Sequence, residues 1–266
     1  MQRFAIALML VLAAPLAGAE VPVTDREQKL AFSAVELHLL ADAAYRNTLR
    51  EQRRRAMLDR DRGAVRKLRR LAGRLIAQAI RLKPEAADWK WEIHLSDDPQ
   101  VDAYCMAGGK LLVGSRFIAS YHLSDEELAI VLGHEIGHAI AEHIREQATA
   151  VLLRNPKNLH RKLPDVLAKM DSDLSVYLAL MPLSRAQEIE ADQIGIRLAA
   201  MAGFRPATAI SFYRKLARGE QAARPLFDTH GSSDLRRRVA AAIVADSNPV
   251  YHAAINTAAL PSYPFR

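Results

Sequence analysis

The stretch SDEELAIVLGHEIGHAI, residues 124–140, carries the pattern on which the interpretation of the fold depends. Ser124 followed by Glu127 is a capping box, the usual start of a helix. His134 and His138 are four residues apart, so on that helix both imidazoles project from one face at a separation suited to one metal ion. Glu135 lies beside them. The spacing therefore predicts a metal site in the middle of a helix.

Two histidines with an adjacent carboxylate are the groups that a hydrolytic zinc site requires. Zinc with few protein ligands lowers the pKa of water to about 7, and a neighbouring carboxylate can then accept a proton from that water. An accidental spacing is the alternative, but the motif falls on a helix with its own capping box. The pattern favours metal-assisted hydrolysis with Glu135 as the proton acceptor.

A third protein ligand is normally needed by catalytic zinc, and it must be a histidine or a carboxylate further along the chain. Glu188 and Asp192 are again four residues apart on a predicted helix. One such carboxylate can bind the metal while the other fixes the tautomer of a ligating histidine. We expect Glu188 to bind the metal and Glu190 to face elsewhere. An acidic solvated face is the alternative for this stretch.

Composition and charge narrow the class of protein. Of the 266 residues 50% are hydrophobic and 25% are charged, which excludes low-complexity, collagenous and disordered chains. A lone cysteine, Cys105, excludes a disulfide framework and a zinc site of several cysteines. Residues 50–83 hold thirteen Lys or Arg and only three acids. This excess is typical of a solvated helix face, and it could also attract an anionic membrane surface.

The first nineteen residues have the features of a secretory signal. Arg3 precedes an apolar run at residues 4–14, and small residues at 17–19 resemble a cleavage site. We expect the mature chain to begin at Glu20 and to be periplasmic or secreted, and on that ground we exclude nucleic acid as a partner. No cysteine that could carry a lipid follows the apolar run, and no later segment is long and apolar enough to span a membrane.

Periodicity divides the rest of the chain into helices and a few strands. Thr24 with Glu27 forms a capping pair that predicts a first helix up to Gly63, and a second helix ends before Pro84. Three strand-like runs follow at residues 89–95, 101–106 and 110–118. The metal-binding helix should continue to about residue 149. The fold class is α+β, mostly helical, with a small antiparallel sheet.

Later segments are also predicted to be helical. Residues 166–180 form one helix, and a capping box at Ser184 and Gln187 starts another that ends at Met201. Shorter helices are expected at 208–218 and 233–245. The predicted organisation is a signal peptide (1–19), an N-terminal helical layer (20–84), a metallopeptidase core (85–245) and a C-terminal tail (246–266).

Four motifs together resemble one known family. They are HEIGH at 134–138, LSRAQEIEAD at 183–192, VDAYCMAGGK at 101–110 and DTH at 228–230. On these motifs the sequence is similar to the gluzincin metallopeptidases of the HtpX, LoiP and BepA type, a family that includes the CAAX prenyl protease and the mitochondrial inner-membrane quality-control protease. The similarity covers roughly residues 90 to 240 and implies a minimal zincin-type metallopeptidase domain.

This resemblance assigns roles to individual residues. It implies one zinc ion per chain held by His134, His138 and Glu188, with Glu135 as the general base. It implies that Asp192 contacts a metal ligand without binding the metal itself. Arg236 matches an arginine typical of the family, and two neighbouring arginines are alternative matches. The assigned outer partners and their competitors are Asp192, Arg236, Arg237 and Arg238.

Two further expectations follow from the same resemblance. His230 should approach the zinc, either to stabilise an oxyanion or to close the site, and Gly231 in place of the family proline leaves its loop freer. An edge strand that pairs with the substrate backbone should comprise Gly109, Lys110, Leu111, Leu112 and Val113, with an ordinary hairpin as the alternative. His143 is about 140° round a continuous helix from His138, so we expect it to pack or hydrogen-bond instead of binding the ion.

The leading hypothesis is a periplasmic or secreted zinc endopeptidase that cleaves unfolded or misfolded envelope proteins. The site could be closed at rest by His230 or by residues 166–183. A chaperone-like binder of unfolded chains with a structural zinc is the alternative. Glu135 distinguishes the two, because a structural site needs no base beside its histidines.

Overall fold

The computed structural model of the protein describes residues 17–154, 160–220 and 233–265. The predicted class, α+β and mostly helical, is confirmed. The elements in chain order are β1 (Ala17–Glu20), β2 (Glu27–Leu30), α1 (Ala34–Arg54), α2 (Arg62–Leu82), a 3-10 helix (Pro84–Asp88), β3 (Glu92–Ser96), β4 (Ala103–Met106), β5 (Lys110–Gly114), α3 (Ser115–Ser120), α4 (Asp125–Ile140), α5 (His143–Leu153), α6 (Leu163–Ser172), α7 (Leu174–Met201), α8 (Thr208–Glu220) and α9 (Ser233–Ile255).

The strands form two small sheets. β1 and β2 pair antiparallel, with Glu20 opposite Glu27. The other sheet has the order β3-β5-β4, in which β5 runs parallel to β3 and antiparallel to β4. Gly108 and Gly109 adopt φ values of 77° and 80°, which suit glycine and form the predicted turn between β4 and β5. The second sheet is therefore mixed and not wholly antiparallel as expected.

The expectation that residues 109–113 form an edge strand is wrong. After the glycine turn the chain returns between β3 and β4, so β5 is the central strand and is paired on both sides. Its backbone groups are consequently used within the sheet, and Gly109, Lys110, Leu111, Leu112 and Val113 cannot add a substrate strand. The edge position beside the turn belongs to β4. The strand also ends at Gly114, where α3 begins, and not at residue 118.

The N-terminal segment is not the start of the first helix. Val23 and Asp25 have positive φ values, and β2 alternates exposed and buried residues. The alternating burial in this short stretch, at Gln28 and Leu30, thus has the period of a strand. Thr24 does not cap a helix, because its hydroxyl donates to Glu190 Oε1 at 2.6 Å. Helix α1 begins only at Ala34, after Ser33.

Helix α4 begins as predicted but ends earlier. Ser124 and Glu127 form the full capping box. The helix ends at Ile140, because Glu142 takes a left-handed conformation with φ 54° and starts α5 in a new direction. The predicted continuous helix to residue 149 is therefore wrong. His143, at the first position of α5, turns back toward His138 and does not lie 140° away from it.

Helix α7 is longer than the sequence indicated. Asp173 interrupts the predicted helix 166–180, and its side chain accepts hydrogen bonds from the backbone of Ser175 and Val176 to cap α7. The helix then runs through Ser184, so the predicted capping box at that point is wrong. Gln187 is instead buried and donates to Glu146 Oε2 at 2.7 Å. The predicted boundary at residue 245 falls inside α9.

Helices α4 and α7 cross with their backbones in contact. A Cβ added at Gly195 would lie 2.5 Å from the backbone nitrogen of His134, and one at Gly133 would lie 2.6 Å from the Gly195 oxygen. One at Gly137 would lie 3.0 Å from the Ala191 oxygen. Only glycine permits so close an approach. The crossing brings the motif residues of both helices within side-chain reach.

Most of the predicted signal peptide, residues 1–16, lies outside the described residues. Its expected cleavage point after Ala19 falls within β1, whose Ala19 is opposite Gln28 of β2. Within the described ranges, no helix combines the length and apolar character needed to cross a membrane.

Gly195→Ala should destabilise the protein by about 1–3 kcal/mol, because the new methyl group must push the two helices apart. Chemical denaturation of the metal-free protein measures this change. Gly63→Ala is the matched control, since its Cβ would meet only the side chain of Asp61 at 3.1 Å. A Gly195→Ala variant as stable as the control would contradict the close crossing.

Candidate metal centre

Three donor groups converge where α4 and α7 cross. The Nε2 atoms of His134 and His138 are 3.0 Å apart. Glu188 of α7 places Oε2 at 3.4 Å from the first of these nitrogens and Oε1 at 3.3 Å from the second. In the described part of the chain, these three residues form a group able to hold a metal ion.

The arrangement fits zinc. Two ligands at 2.0–2.1 Å from a tetrahedral ion are about 3.3 Å apart, which is close to the observed separations. Two imidazoles and a carboxylate are also the donor set of catalytic zinc sites, which leave one position open. The structure thus brings together the three residues predicted as ligands, His134, His138 and Glu188.

Asp192 orients the first histidine. The Nδ1 atom of His134 is 2.8 Å from Asp192 Oδ1, so that its Nε2 faces the other donors. Asp192 is buried and also accepts from the Tyr213 hydroxyl at 2.5 Å. Burial opposes ionisation of this carboxyl, but the nearby Arg236 guanidinium holds its pKa well below the usual range. Asp192 therefore remains a charged acceptor for the His134 ring.

Arg236, in α9, closes the buried end of the site. Its Nε donates to Asp192 Oδ2 at 2.8 Å, and its Nη1 lies 3.5 Å from Glu188 Oε2. The guanidinium is 4.9 Å from the ring centroid of Tyr213. Arg237 and Arg238 are exposed, so Arg236 is the one of the three competing arginines that reaches the site.

The two histidines differ in their affinity for protons. Burial and the neighbouring His134 lower the pKa of His138 to about 3, so its imidazole is neutral, as metal binding requires. Burial also opposes protonation of His134, but its bonds to Asp192 and Glu188 raise the pKa to about 9. In the metal-free protein His134 carries a proton that zinc must displace.

Glu135 faces a cleft beside the metal ligands. The cleft has a volume of about 460 Å³ and is lined by both Glu135 and His138. Its other walls come from α1, β4, α5 and α6 and are mainly apolar. They include Leu37, Leu40, Ala41, Met106, Ile144 and Leu167. Leu167 belongs to the segment 166–183, which was one of the two alternatives for closing the site at rest.

Cys105 of β4 also lines this cleft. The residue as a whole is partly exposed, but its sulfur is buried. This burial raises the pKa of the thiol well above its usual value. The thiol therefore stays protonated and is a poor nucleophile. Cys105 thus serves as a small packed side chain of the cleft wall.

Sequence reasoning missed two residues around the site, Glu190 and Tyr213, and the position of a third, His143, which it did predict to pack or hydrogen-bond. Glu190, expected to face elsewhere, lies 3.3 Å from His143 Nε2. His143 contacts the ligand His138, and Tyr213 donates to Asp192, which in turn contacts His134. The break before α5 that returns His143 to His138 contains no Gly or Pro to announce it. His230 lies outside the described residues, so its role stays a prediction.

Asp192→Asn should weaken zinc binding by about 10- to 100-fold, the range typical for partners of metal-ligating histidines. The amide keeps the shape of the side chain but loses the charge that fixes the His134 ring. Competition with a chromophoric chelator measures the affinity. Asp173→Asn is a control at an exposed helix cap distant in sequence, and unchanged zinc affinity in Asp192→Asn would contradict the assigned role.

Comparison with known proteins gives one family. A family model described as Peptidase family M48 matches residues 64–244, more than half of the chain. The chain is 35% identical over 158 residues to the mitochondrial metalloendopeptidase OMA1 of Arabidopsis thaliana, covering 57% of this chain and 31% of that protein. It is 28% identical over 180 residues to the Beta-barrel assembly-enhancing protease of Yersinia pestis, covering 64% and 36%.

A third relative is shorter. Metalloprotease LoiP of Escherichia coli is 26% identical over 164 residues, which cover 59% of this chain and 64% of LoiP. The chain thus spans about a third of the length of the Arabidopsis and Yersinia relatives and less than two thirds of LoiP.

Proposed function

The chain belongs to peptidase family M48, as its motifs indicated, and we propose that it is a zinc-dependent endopeptidase that cleaves unfolded or misfolded polypeptides. One observation carries this proposal. His134, His138 and Glu188 converge as a three-ligand site, and Glu135 lies beside them on the wall of an open cleft. A purely structural zinc site would need neither the additional carboxylate of Glu135 nor the cleft.

Zinc, when bound, would supply a Lewis acid that polarises the scissile carbonyl and lowers the pKa of water. Glu135 would take a proton from the attacking water and transfer it to the nitrogen of the departing amine, as a general base and then a general acid. Asp192 and Arg236 would hold His134 and Glu188 in place during this exchange. Each proton step thus has an acceptor within the cleft.

The free edge of β4 is the place we propose for the substrate backbone. β4 pairs with β5 on one side and, among the described residues, with no strand on the other. Residues 104–107 line the cleft that contains Glu135. Main-chain hydrogen bonds to such an edge give affinity without requiring a particular sequence. Binding of this kind suits an enzyme whose substrates are unfolded chains.

Glu135→Gln should bind zinc as the wild type does but lose at least about 100-fold in the rate of casein cleavage, because the amide cannot accept the proton. The rate is measured on zinc-loaded protein, with bound zinc counted by atomic absorption.

Glu126→Gln is the matched control, a glutamate of the same helix that does not line the cleft and accepts from the backbone nitrogen of Arg205 at 2.5 Å. Cleavage by Glu135→Gln at the wild-type rate would contradict the mechanism. Zinc-loaded wild type that binds casein but never cleaves it would instead favour a chaperone-like binder.

The apolar walls of the cleft indicate a preference for a large apolar side chain next to the cleaved bond. Such side chains are exposed in unfolded proteins and buried in folded ones. Ala41→Trp should fill part of the cleft and lower kcat/KM for peptides with Leu or Phe at that position by about tenfold or more, relative to peptides with Ala. Peptide cleavage assays measure this ratio.

Ala43→Trp is the control for this substitution, since Ala43 is an exposed residue of the same helix that does not line the cleft. An equal loss in both variants, or no change of the Leu-to-Ala ratio in Ala41→Trp, would show that the cleft does not select the side chain.

We further propose that the enzyme works in the cell envelope, outside the cytoplasm, and that it contacts anionic membrane surfaces. The predicted signal peptide and the similarity to LoiP and the Beta-barrel assembly-enhancing protease support the first part. Of the thirteen Lys or Arg at residues 50–83, ten are exposed, which supports the second. Such charges attract anionic lipids at short range.

Fractionation of cells that produce the chain with a C-terminal tag should place it outside the cytoplasm, with Glu20 as the N-terminal residue. A wash in 1 M salt should release the part bound to membranes, because salt screens surface charges. A chain that keeps Met1 in the cytoplasm would contradict the location, and salt-insensitive release would contradict the charge contact.

A further inference from the structure

We propose that His143 and Glu190 position the zinc ligand His138, and that Arg26 connects this pair to the segment that leads into β2. The inference rests on the proposed function only in that His138 binds a metal ion. It concerns residues for which the motif analysis gave no role at the site. His143 and Glu190 would be positioning residues, since they act on the metal only through His138.

Four side chains form an unbroken series of contacts. His138 Nδ1 is 2.9 Å from His143 Nδ1, and His143 Nε2 is 3.3 Å from Glu190 Oε2. Glu190 then accepts from Arg26 Nη2 at 2.7 Å and from the Thr24 hydroxyl at 2.6 Å. His143 is only 2% exposed and Glu190 5%. Burial protects these contacts from exchange with water.

The positions of the protons follow from the order of the contacts. When Nε2 of His138 binds the ion, its Nδ1 carries the hydrogen and must donate it. His143 therefore accepts at Nδ1 and carries its own hydrogen on Nε2. That nitrogen faces the Glu190 carboxylate at 3.3 Å, in a charge contact that is not aligned as a hydrogen bond. One set of tautomers is thus compatible with every contact of the series, and the hydrogen bond from His138 to His143 fixes the orientation of the His138 ring.

The two zinc histidines are held by different means. His134 meets a carboxylate directly, at Asp192, whereas His138 reaches one through the intervening imidazole of His143. A carboxylate behind a ligating histidine increases the basicity of the ring and restricts its rotation. The indirect arrangement depends on the break before α5, which turns His143 toward the site.

Arg26 extends this arrangement to a distant part of the sequence. It lies in the turn between β1 and β2 and forms ion pairs with both Glu190 and Glu146, at 2.7 Å and 2.6 Å. Both carboxylates are buried, so loss of the arginine would leave them without their cation. The segment that leads into β2, which lies after the expected cleavage point, is consequently part of the support for the metal site.

Two substitutions of His143 test the inference through zinc affinity, measured by chelator competition on the full chain. His143→Leu removes the acceptor and should weaken zinc binding by about tenfold or more. His143→Asn places an amide oxygen near the position of Nδ1 and should stay within about threefold of the wild type. The absorption bands of cobalt bound in place of zinc should change in the first variant and persist in the second.

A matched pair of glutamates provides a second arm. Glu190→Gln should weaken zinc binding by about tenfold, because it removes the charged acceptor behind His143. Glu146→Gln removes the other partner of Arg26, which is equally buried, and should leave the affinity within about twofold. This arm decides the question if His143→Leu does not fold, as judged by circular dichroism.

Two results would overturn the inference. One is a His143→Asn variant that binds zinc as weakly as a folded His143→Leu variant. The role of His143 would then be packing alone and not hydrogen bonding to His138. The other is an equal loss of zinc affinity in Glu190→Gln and Glu146→Gln. Such a result would mean that Glu190 acts only through its ion pair with Arg26 and not through His143. Neither result depends on peptide cleavage, so failure of this inference is distinguishable from failure of the proposed function.

Discussion

The metal centre depends on the contact between the backbones of α4 and α7. Gly133 and Gly195 leave no room for a Cβ at the crossing, and Gly137 leaves little more. Because the ligands come from both helices, this contact sets the distances among His134, His138 and Glu188. A zinc ion held by both helices would also stabilise the crossing, since binding to the native state alone raises the free energy of unfolding.

A second constraint is the balance of buried charge around the two imidazoles. Asp192, behind His134, is neutralised by Arg236, and Glu190, reached from His138 through His143, is neutralised by Arg26. A buried carboxylate without its cation would cost several kcal/mol. Glu188 shares the charge of Arg236 at 3.5 Å and also faces both imidazoles, so it is the carboxylate that would meet the charge of the metal. The site thus combines acceptors for both histidines with a carboxylate ligand for the ion.

Local spacing in the sequence was enough to predict the centre of the site, but not its surroundings. The four-residue spacing selected His134 with His138 and Glu188 with Asp192, because helical geometry is local. Thr24 was misinterpreted as a helix cap because its actual partner, Glu190, is 166 residues away. The turn at Glu142 has no glycine or proline to indicate it, and the central position of β5 depends on strand order, which local periodicity does not encode.

X-ray absorption spectroscopy of the zinc-loaded protein tests the central claim most directly. The account predicts one zinc per chain with four nitrogen or oxygen neighbours at about 2.0–2.1 Å, including the scattering signature of two imidazoles. The imidazole signal should fall by half in His138→Ala. A sulfur neighbour at about 2.3 Å, which would implicate Cys105, or a shell without imidazole would contradict it.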